Sequence, residues 1–325
     1  MSSALLELQG VCKRFGDLAA VDDLSFSVQP GEVFGFLGPN GAGKTTTLRM
    51  VMEITRPDQG TIRFQGAGSI DRTRVGYLPE ERGLFADMPA LDTLAYLGEL
   101  RGMSGADARR AARQWLERFE LGDRMKSKVG TLSKGNQQKI QFAGAVLHDP
   151  VLAVLDEPFS GLDPLNQELA MGVMRELRQR GTAVLLSAHQ LDLVERLADR
   201  FLLLARGRAV LAGTLDEIRR QATGGADLLL RIEVTPRAGI DAVEQAVRAA
   251  VPDARLERTE DTGARRILEL AMPPAADLGP VLAAASAHAV VHRVDTQRLP
   301  LHEIYVRSVT ADRSERAAIA QEVAS

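Results

Sequence analysis

The sequence predicts an α/β protein with a mostly parallel sheet, an inserted helical subdomain and a small α+β domain at its end. Three observations carry this. Short β-rich runs alternate with helical ones from Leu5 to about Gly213, and several are apolar without alternation, as strands covered on both faces by helices are. Within that region, residues 85 to 148 hold almost no strand signal but long helical patterns. After Gly213 the order of elements changes to β-α-β-β-α-β.

Taken in order, the runs Val33–Leu37, Val75–Leu78, Val151–Leu155, Ala183–Ser187 and Phe201–Leu204 are the expected strands of the first domain. Ser104–Glu120 and Lys134–Leu147 are the main helices of the insertion. The stretch TLDEIRRQATGGAD opens with Thr-x-x-Glu, which suits a capped helix, and its Gly-Gly suits a linker. Residues 1–222 are therefore expected to form one domain and 226–310 a second. The second reads as strand Leu228–Val234, helix Ile240–Ala250, strand Arg255–Glu260, a turn at Asp261-Thr262-Gly263, strand Arg266–Met272, helix Leu278–Ala287 and strand Val290–Arg298. That order matches the ferredoxin-like motif. A closing helix Leu301–Thr310 and a polar tail, residues 311–325, complete the chain, and the tail is expected to fray.

With 325 residues, 45% hydrophobic and 26% charged, the chain can bury more than one core. Forty Lys and Arg against 43 Asp and Glu leave a net charge of −3, which removes the overall basic excess that draws proteins onto nucleic acid. The single Cys12 cannot form an internal disulfide and is expected to be structural. The start MSSALLELQG lacks the plan of a signal peptide, and no apolar run approaches the roughly 20 residues that span a bilayer as a helix. A cytoplasmic protein is expected, whose membrane role, if it has one, comes through another chain.

The chemistry centres on GPNGAGKTTTLRM, which follows the apolar strand Val33–Leu37. Gly38, Gly43, Lys44 and Thr45 meet the Gly-x-x-x-x-Gly-Lys-Ser/Thr pattern in the strand-then-helix setting that marks a P-loop NTPase. Glycines let backbone N–H groups turn inward around an anionic phosphate, and the following helix adds the positive end of its dipole. Gly38, Pro39, Asn40, Gly41, Ala42, Gly43, Lys44, Thr45 and Thr46 are thus the candidate phosphate cradle, with Lys44 on the outer phosphates and the Thr45 hydroxyl on Mg²⁺. The second piece, VLAVLDEP, is a buried strand ending in Asp156-Glu157. Carboxylates at the carboxyl end of such a strand lie where α/β sheets bind ligands. Asp156 can hold Mg²⁺ through water, and Glu157 can orient or deprotonate an attacking water.

Two more stretches narrow the reading. TLSKGNQQK at 131–139 resembles the signature loop of ABC ATPases, and FSGLDP at 159–164 is similar to the D-loop that follows their Walker B strand. With His189 in LLSAHQLDLVE, the ordered set of motifs resembles an ABC transporter ATP-binding subunit over about residues 5–220. The resemblance implies a head-to-tail dimer, of two copies or with a paralogous ATPase subunit, in which ATP lies between the phosphate loop of one subunit and the signature of the other. Ser133 can cap a helix starting near Lys134, so that its hydroxyl and the helix N-terminus face the γ-phosphate, while Gly135 permits close backbone approach. By resemblance, Lys134 and Asn136 complete the signature, His189 contacts the γ-phosphate and attacking water, and Asp163 helps connect the two sites. Phe15 falls where the family stacks an aromatic ring on adenine; the alternative is a core phenylalanine in a strand.

The sequence departs from the family pattern at Glu80, in VGYLPEERGLF, where the Q-loop normally has glutamine. A carboxylate can still ligate Mg²⁺ but adds negative charge near the triphosphate. Lys134 and Asn136 replace the commoner Gly and Gln, and Lys134 adds a cation near phosphate. These substitutions resemble a branch that powers ABC-2 type exporters, and TQRLPLHEIYVRSV at 296–309 resembles the small domain appended there. The expectation is an ATP- and Mg²⁺-dependent ATPase driving export through a separately encoded integral-membrane permease, peripheral on the inner face of the cell membrane, with no nucleic-acid partner. A soluble ABC-type ATPase acting on nucleic acid or the ribosome is the alternative. Trp115, Leu116 and Phe119 are expected in the core, Arg109, Arg110 and Arg113 on a solvated helix face, and His148 as a cation suiting a helix end.

Overall fold

A computed structural model describes residues 4–309, apart from 82, 224, 227, 253, 264, 274 and 275. Contacts divide the chain into two units, Met1–Thr214 and Leu215–Ser325. The first runs β1 (Leu6–Phe15), β2 (Leu18–Val28), β3 (Val33–Leu37), α1 (Lys44–Val51), β4 (Gln59–Phe64), β5 (Val75–Leu78), α2 (Ala90–Leu100), α3 (Gly105–Arg118), α4 (Lys134–Val146), β6 (Leu152–Asp156), α5 (Pro164–Gln179), β7 (Ala183–Ala188), α6 (Leu191–Glu195), β8 (Arg200–Ala205) and β9 (Arg208–Gly213).

The main sheet has the order β5-β6-β7-β3-β8-β9; β5, β6, β7, β3 and β8 are parallel, and β9 closes the edge antiparallel to β8. Every residue of β3 and β6 is buried, which explains the apolar runs VFGFL and LAVL, the latter ending at Asp156. Pairing aligns Asp156 of β6 with Ser187 of β7, and Leu37 of β3 with Ala188. The carboxyl ends of three adjacent strands therefore meet at one edge, the position where such sheets hold ligands.

A second sheet, β2-β1-β4, is wholly antiparallel and has no counterpart in the sequence pattern, which predicts one mostly parallel sheet. Its β1 alternates: Leu6 and Leu8 are buried, while Glu7 and Gln9 are not. The buried face packs on the main sheet, where the Phe26 ring stacks on Phe34 at 5.3 Å and tilts against Phe36 at 5.4 Å. Burying a side chain of this size contributes roughly 1.5–3 kcal/mol.

Between β5 and β6 the described residues are helical or loop, as residues 85–148 predicted. The α3 helix starts at Ser104, whose hydroxyl accepts from the Asp107 N–H at 3.2 Å. Trp115, Leu116 and Phe119 are buried as expected, with Phe119 edge-on to Phe142 of α4. Arg109 pairs with Asp92 and Arg110 with Asp107 on the solvated face.

The second unit contains α7 (Leu215–Thr223), β10 (Leu228–Pro236), α8 (Ile240–Ala250), β11 (Arg255–Asp261), β12 (Arg266–Met272), α9 (Gly279–His288) and β13 (Ala289–Arg298), and residues 301–309 are helical. The β-α-β-β-α-β order is thus present, in an antiparallel sheet ordered β11-β12-β10-β13. Leu230, Ile232 and Val234 of β10 share a core with Val243 and Val247 of α8 and Val281 of α9.

The boundary falls after Thr214, not at 222–226, because α7 is fastened to the second unit. Ile218 and Arg219 of α7 are buried, Arg219 Nε donates to the Leu299 carbonyl at 3.0 Å, and Asp216 pairs with Arg298 at 2.8 Å. The polar tail 311–325 lies outside the described residues.

Candidate functional site

The glycine-rich turn joins buried β3 to α1, and its geometry explains its composition. Gly43 sits at φ 101°, and a Cβ there would stand 2.3 Å from the Ala20 carbonyl oxygen. No side chain is tolerated in that backbone conformation and that space. Pro39, Asn40, Gly41, Gly43, Lys44, Thr45 and Thr46 line a pocket of about 320 Å³ that also reaches Phe15, Glu80 and Glu157. Gly38 and Ala42 are buried in the same turn. Phe15, at the end of β1, is 53% exposed, so the core alternative is overturned; Lys13 Nζ lies 5.6 Å from its ring centre.

Lys44 is buried, donating to the carbonyls of Gly38 at 2.7 Å and Pro39 at 3.3 Å. Its ammonium stands 4.0 Å from a Glu157 carboxylate oxygen. Glu157 is itself buried, and its backbone is left-handed at φ 52°. The Glu157 N–H donates to the carbonyl and hydroxyl oxygens of Ser187, both at 3.1 Å. The other Glu157 oxygen meets His189 Nδ1 at 2.7 Å. Burial raises the Glu157 carboxyl above its ordinary range, and the His189 and Lys44 charges pull it part of the way back.

Asp156 is fully buried at the last position of β6. The Ser187 hydroxyl donates to its Oδ1, and its Oδ2 has no hydrogen-bond partner. Burial raises its pKa, with the Ser187 and Thr45 hydroxyls opposing and the Glu80 charge adding. Across the pocket the Thr45 hydroxyl donates to Glu80 at 3.3 Å. A buried carboxylate oxygen without a partner, beside a hydroxyl and a second carboxylate, is an all-oxygen donor set that suits a hard divalent cation such as Mg²⁺. The residues present fit that ion.

The other predicted residues are elsewhere. Ser133 caps α4 by accepting from the Asn136 N–H at 3.3 Å, and Ser133 and Lys134 are exposed. Gly135 lies close to the loop before α5, where an added Cβ would be 3.0 Å from the Gly161 carbonyl. Asp163 caps α5, accepting from the Asn166 N–H at 2.9 Å, and that bond holds its carboxyl below the usual range. None of these lines the phosphate pocket. Within one chain the structure therefore gathers Lys44, Thr45, Glu80, Asp156, Glu157 and His189, and leaves the signature facing outward.

Sequence reasoning missed Ser187, Gln138 and Gln141. Ser187 had a signal, since an apolar strand ending in serine lies next to the Asp156 strand. The glutamines had none, because their partners are backbone carbonyls. The His148 expectation is corrected: burial, with Arg101 adding to it, lowers its pKa to about 4, so it is neutral and not a cation at the helix end.

Residues 21–160 match the sequence model of the ABC transporter family. An uncharacterized ABC transporter ATP-binding protein of Methanocaldococcus jannaschii is 43% identical over 216 residues, which span 66% of this chain and 80% of that protein. The Nod factor export ATP-binding protein I of Burkholderia lata is 40% identical over 218 residues, 66% of this chain and 72% of its own. Among solved structures, an ATP-binding subunit of an ABC transporter is similar with a TM-score of 0.63 and 35% identity, covering 67% of this chain and 92% of that one.

Proposed function

The chain belongs to the ABC transporter family as an ATP-hydrolysing subunit, and from that premise we propose that it drives export through a separately encoded membrane permease. The observation that carries the chemistry is the convergence of Lys44, Asp156, Glu157 and His189 around the phosphate loop at the carboxyl ends of β3, β6 and β7. Export is favoured by the relatives that bear that word in their names and by Glu80, Lys134 and Asn136, which depart from the commoner pattern. Among the described residues no helix is long and apolar enough to cross a membrane, which fits a subunit that works through a partner.

Two such subunits, identical or paralogous, would close head to tail on ATP. Lys44 binds the outer phosphates, and Phe15 offers a face to adenine. Glu157, ionised, accepts a proton from the attacking water; His189 holds its carboxylate and reaches toward the γ-phosphate. Thr45, Asp156 and Glu80 would hold Mg²⁺, which when bound neutralises charge on the phosphates. Ser133, Lys134, Gly135 and Asn136 would meet the nucleotide of the opposite subunit, where a helix N-terminus suits an anion. The domain limits are also part of this reading: an ATPase unit through Thr214 and a separate unit after it that serves partner contact or dimer support.

The test captures tagged Glu157→Gln protein from gently solubilised native membranes with Mg²⁺-ATP, followed by mass spectrometry. Enrichment of a polytopic membrane protein over an untagged control is expected. Ribosomal proteins or nucleic acid without any permease would overturn the transport reading and leave the ATPase standing.

A further inference from the structure

Helix α4 carries the signature at its N-terminus, but its buried face does something else. Gln138 and Gln141 lie one turn apart on it, and both are buried. Gln138 Nε2 donates to the Glu157 carbonyl at 3.4 Å and to the Pro158 carbonyl at 3.2 Å. Gln141 Nε2 donates to the Pro79 carbonyl at 2.8 Å and to the Glu81 carbonyl at 3.2 Å. One carboxamide therefore holds the backbone at the catalytic carboxylate, and the other straddles Glu80, whose side chain accepts from the Thr45 hydroxyl. Each uses its two N–H groups on carbonyls of segments 19 to 62 residues away in sequence.

We infer that Gln138 and Gln141 are positioning residues that transmit the state of this subunit's own nucleotide site to the signature it offers the other subunit. A shift of the Glu80 or Glu157 backbone on nucleotide binding must either break these bonds or carry α4 with it. Because Lys134–Val146 is one continuous helix capped by Ser133, such a shift would carry its Ser133 end as well. Gln137 fastens that end by donating to the Leu132 carbonyl at 2.9 Å. The two glutamines do not touch substrate; they set where the opposite site's Ser133 stands when this site is filled. The inference rests on the head-to-tail dimer proposed above.

The experiment uses the full chain. Glu157→Gln protein with Mg²⁺-ATP is first weighed by light scattering; absence of a dimer overturns the dimer reading and this inference together. Gln138→Met and Gln141→Met, which keep length but remove the donors, are then compared with the natural protein. Binding of a fluorescent ATP analogue is expected to stay within about threefold, while kcat drops about 10- to 100-fold and the Hill coefficient for ATP falls toward one. Dimer formation with unchanged kcat and Hill coefficient overturns the inference alone. So does a kcat loss matched by an equal loss of analogue binding. If the Met variants do not fold, hydrogen exchange on dilute, monomeric Glu157→Gln protein decides: ATP must change the exchange of amides 133–139, and no change there overturns the inference.

Discussion

The two ends of the nucleotide machinery are built in opposite ways. At the phosphate loop, Lys44, Asp156 and Glu157 are buried, and their partners are backbone carbonyls, Ser187 and His189 of the same unit. At the signature, Ser133 and Lys134 are exposed, and the Ser133 hydroxyl caps its own helix. One end is preorganised by desolvated charge, which makes each interaction stronger and each loss costlier. The other is a presented surface, cheap to alter for folding and informative only when a second subunit arrives. On the function proposed above, the difference predicts that binding and turnover can be separated by substitution.

The largest effect that would break the comparison comes from Lys44→Ala. Loss of the buried cation is expected to weaken nucleotide binding and lower kcat about 100- to 1,000-fold, read by a fluorescent analogue and by phosphate release. Ser133→Ala sharpens it from the other side. Turnover is expected to fall about tenfold with analogue binding by the monomer unchanged, and loss of the cap costs about 1 kcal/mol in thermal unfolding. Equal losses of binding in both variants would erase the distinction.

A smaller effect lies in pH. With Glu157 as the base proposed above, burial raises its pKa, so its ionised form is lost as pH falls through a range above that of an ordinary glutamate. The acid limb of the kcat profile is expected there. In His189→Ala, where a group that lowers this pKa is gone, the limb should move to higher pH. The smallest effect is on stability, at the far end of α4. His148 has a folded pKa of about 4 against 6.5 unfolded, so the unfolded chain binds more protons between those values. Stability is therefore complete above about pH 6.5 and declines as pH falls toward 4; His148→Gln should flatten that decline in urea titrations.

The phosphate loop was legible because its chemistry needs fixed residue types at short spacing: Gly43, Lys44 and Thr45 are neighbours in sequence and line one pocket. The Asp156-Glu157 pair was legible from its place at the end of an apolar strand. His189 could be singled out only through resemblance, since its meeting with Glu157 depends on β6 and β7 being adjacent. The antiparallel sheet was not legible, because β4 pairs with β1 across about fifty residues and the alternation of the β1–β2 hairpin was diluted by Lys13, Arg14 and Asp22, Asp23. Gln138 and Gln141 left no trace for a different reason: a neutral side chain bonded to distant backbone has no partner residue type to look for. His148 was misread because helix-end position was weighed without burial.

The left-handed backbone of Glu157 has a consequence for how the protein trades robustness against activity. A residue with a Cβ held at φ 52° costs of the order of 1–3 kcal/mol, and here the same residue also carries a desolvated carboxylate. Folding would prefer glycine at this position. Glu157→Gly is expected to abolish turnover and raise the melting temperature of the first unit, by about 2–4 °C for each kcal/mol recovered. A substitution that stops the proposed reaction would then be among the most welcome for the fold, so a search for heat-resistant variants without an activity screen would be drawn to the residue proposed as the base.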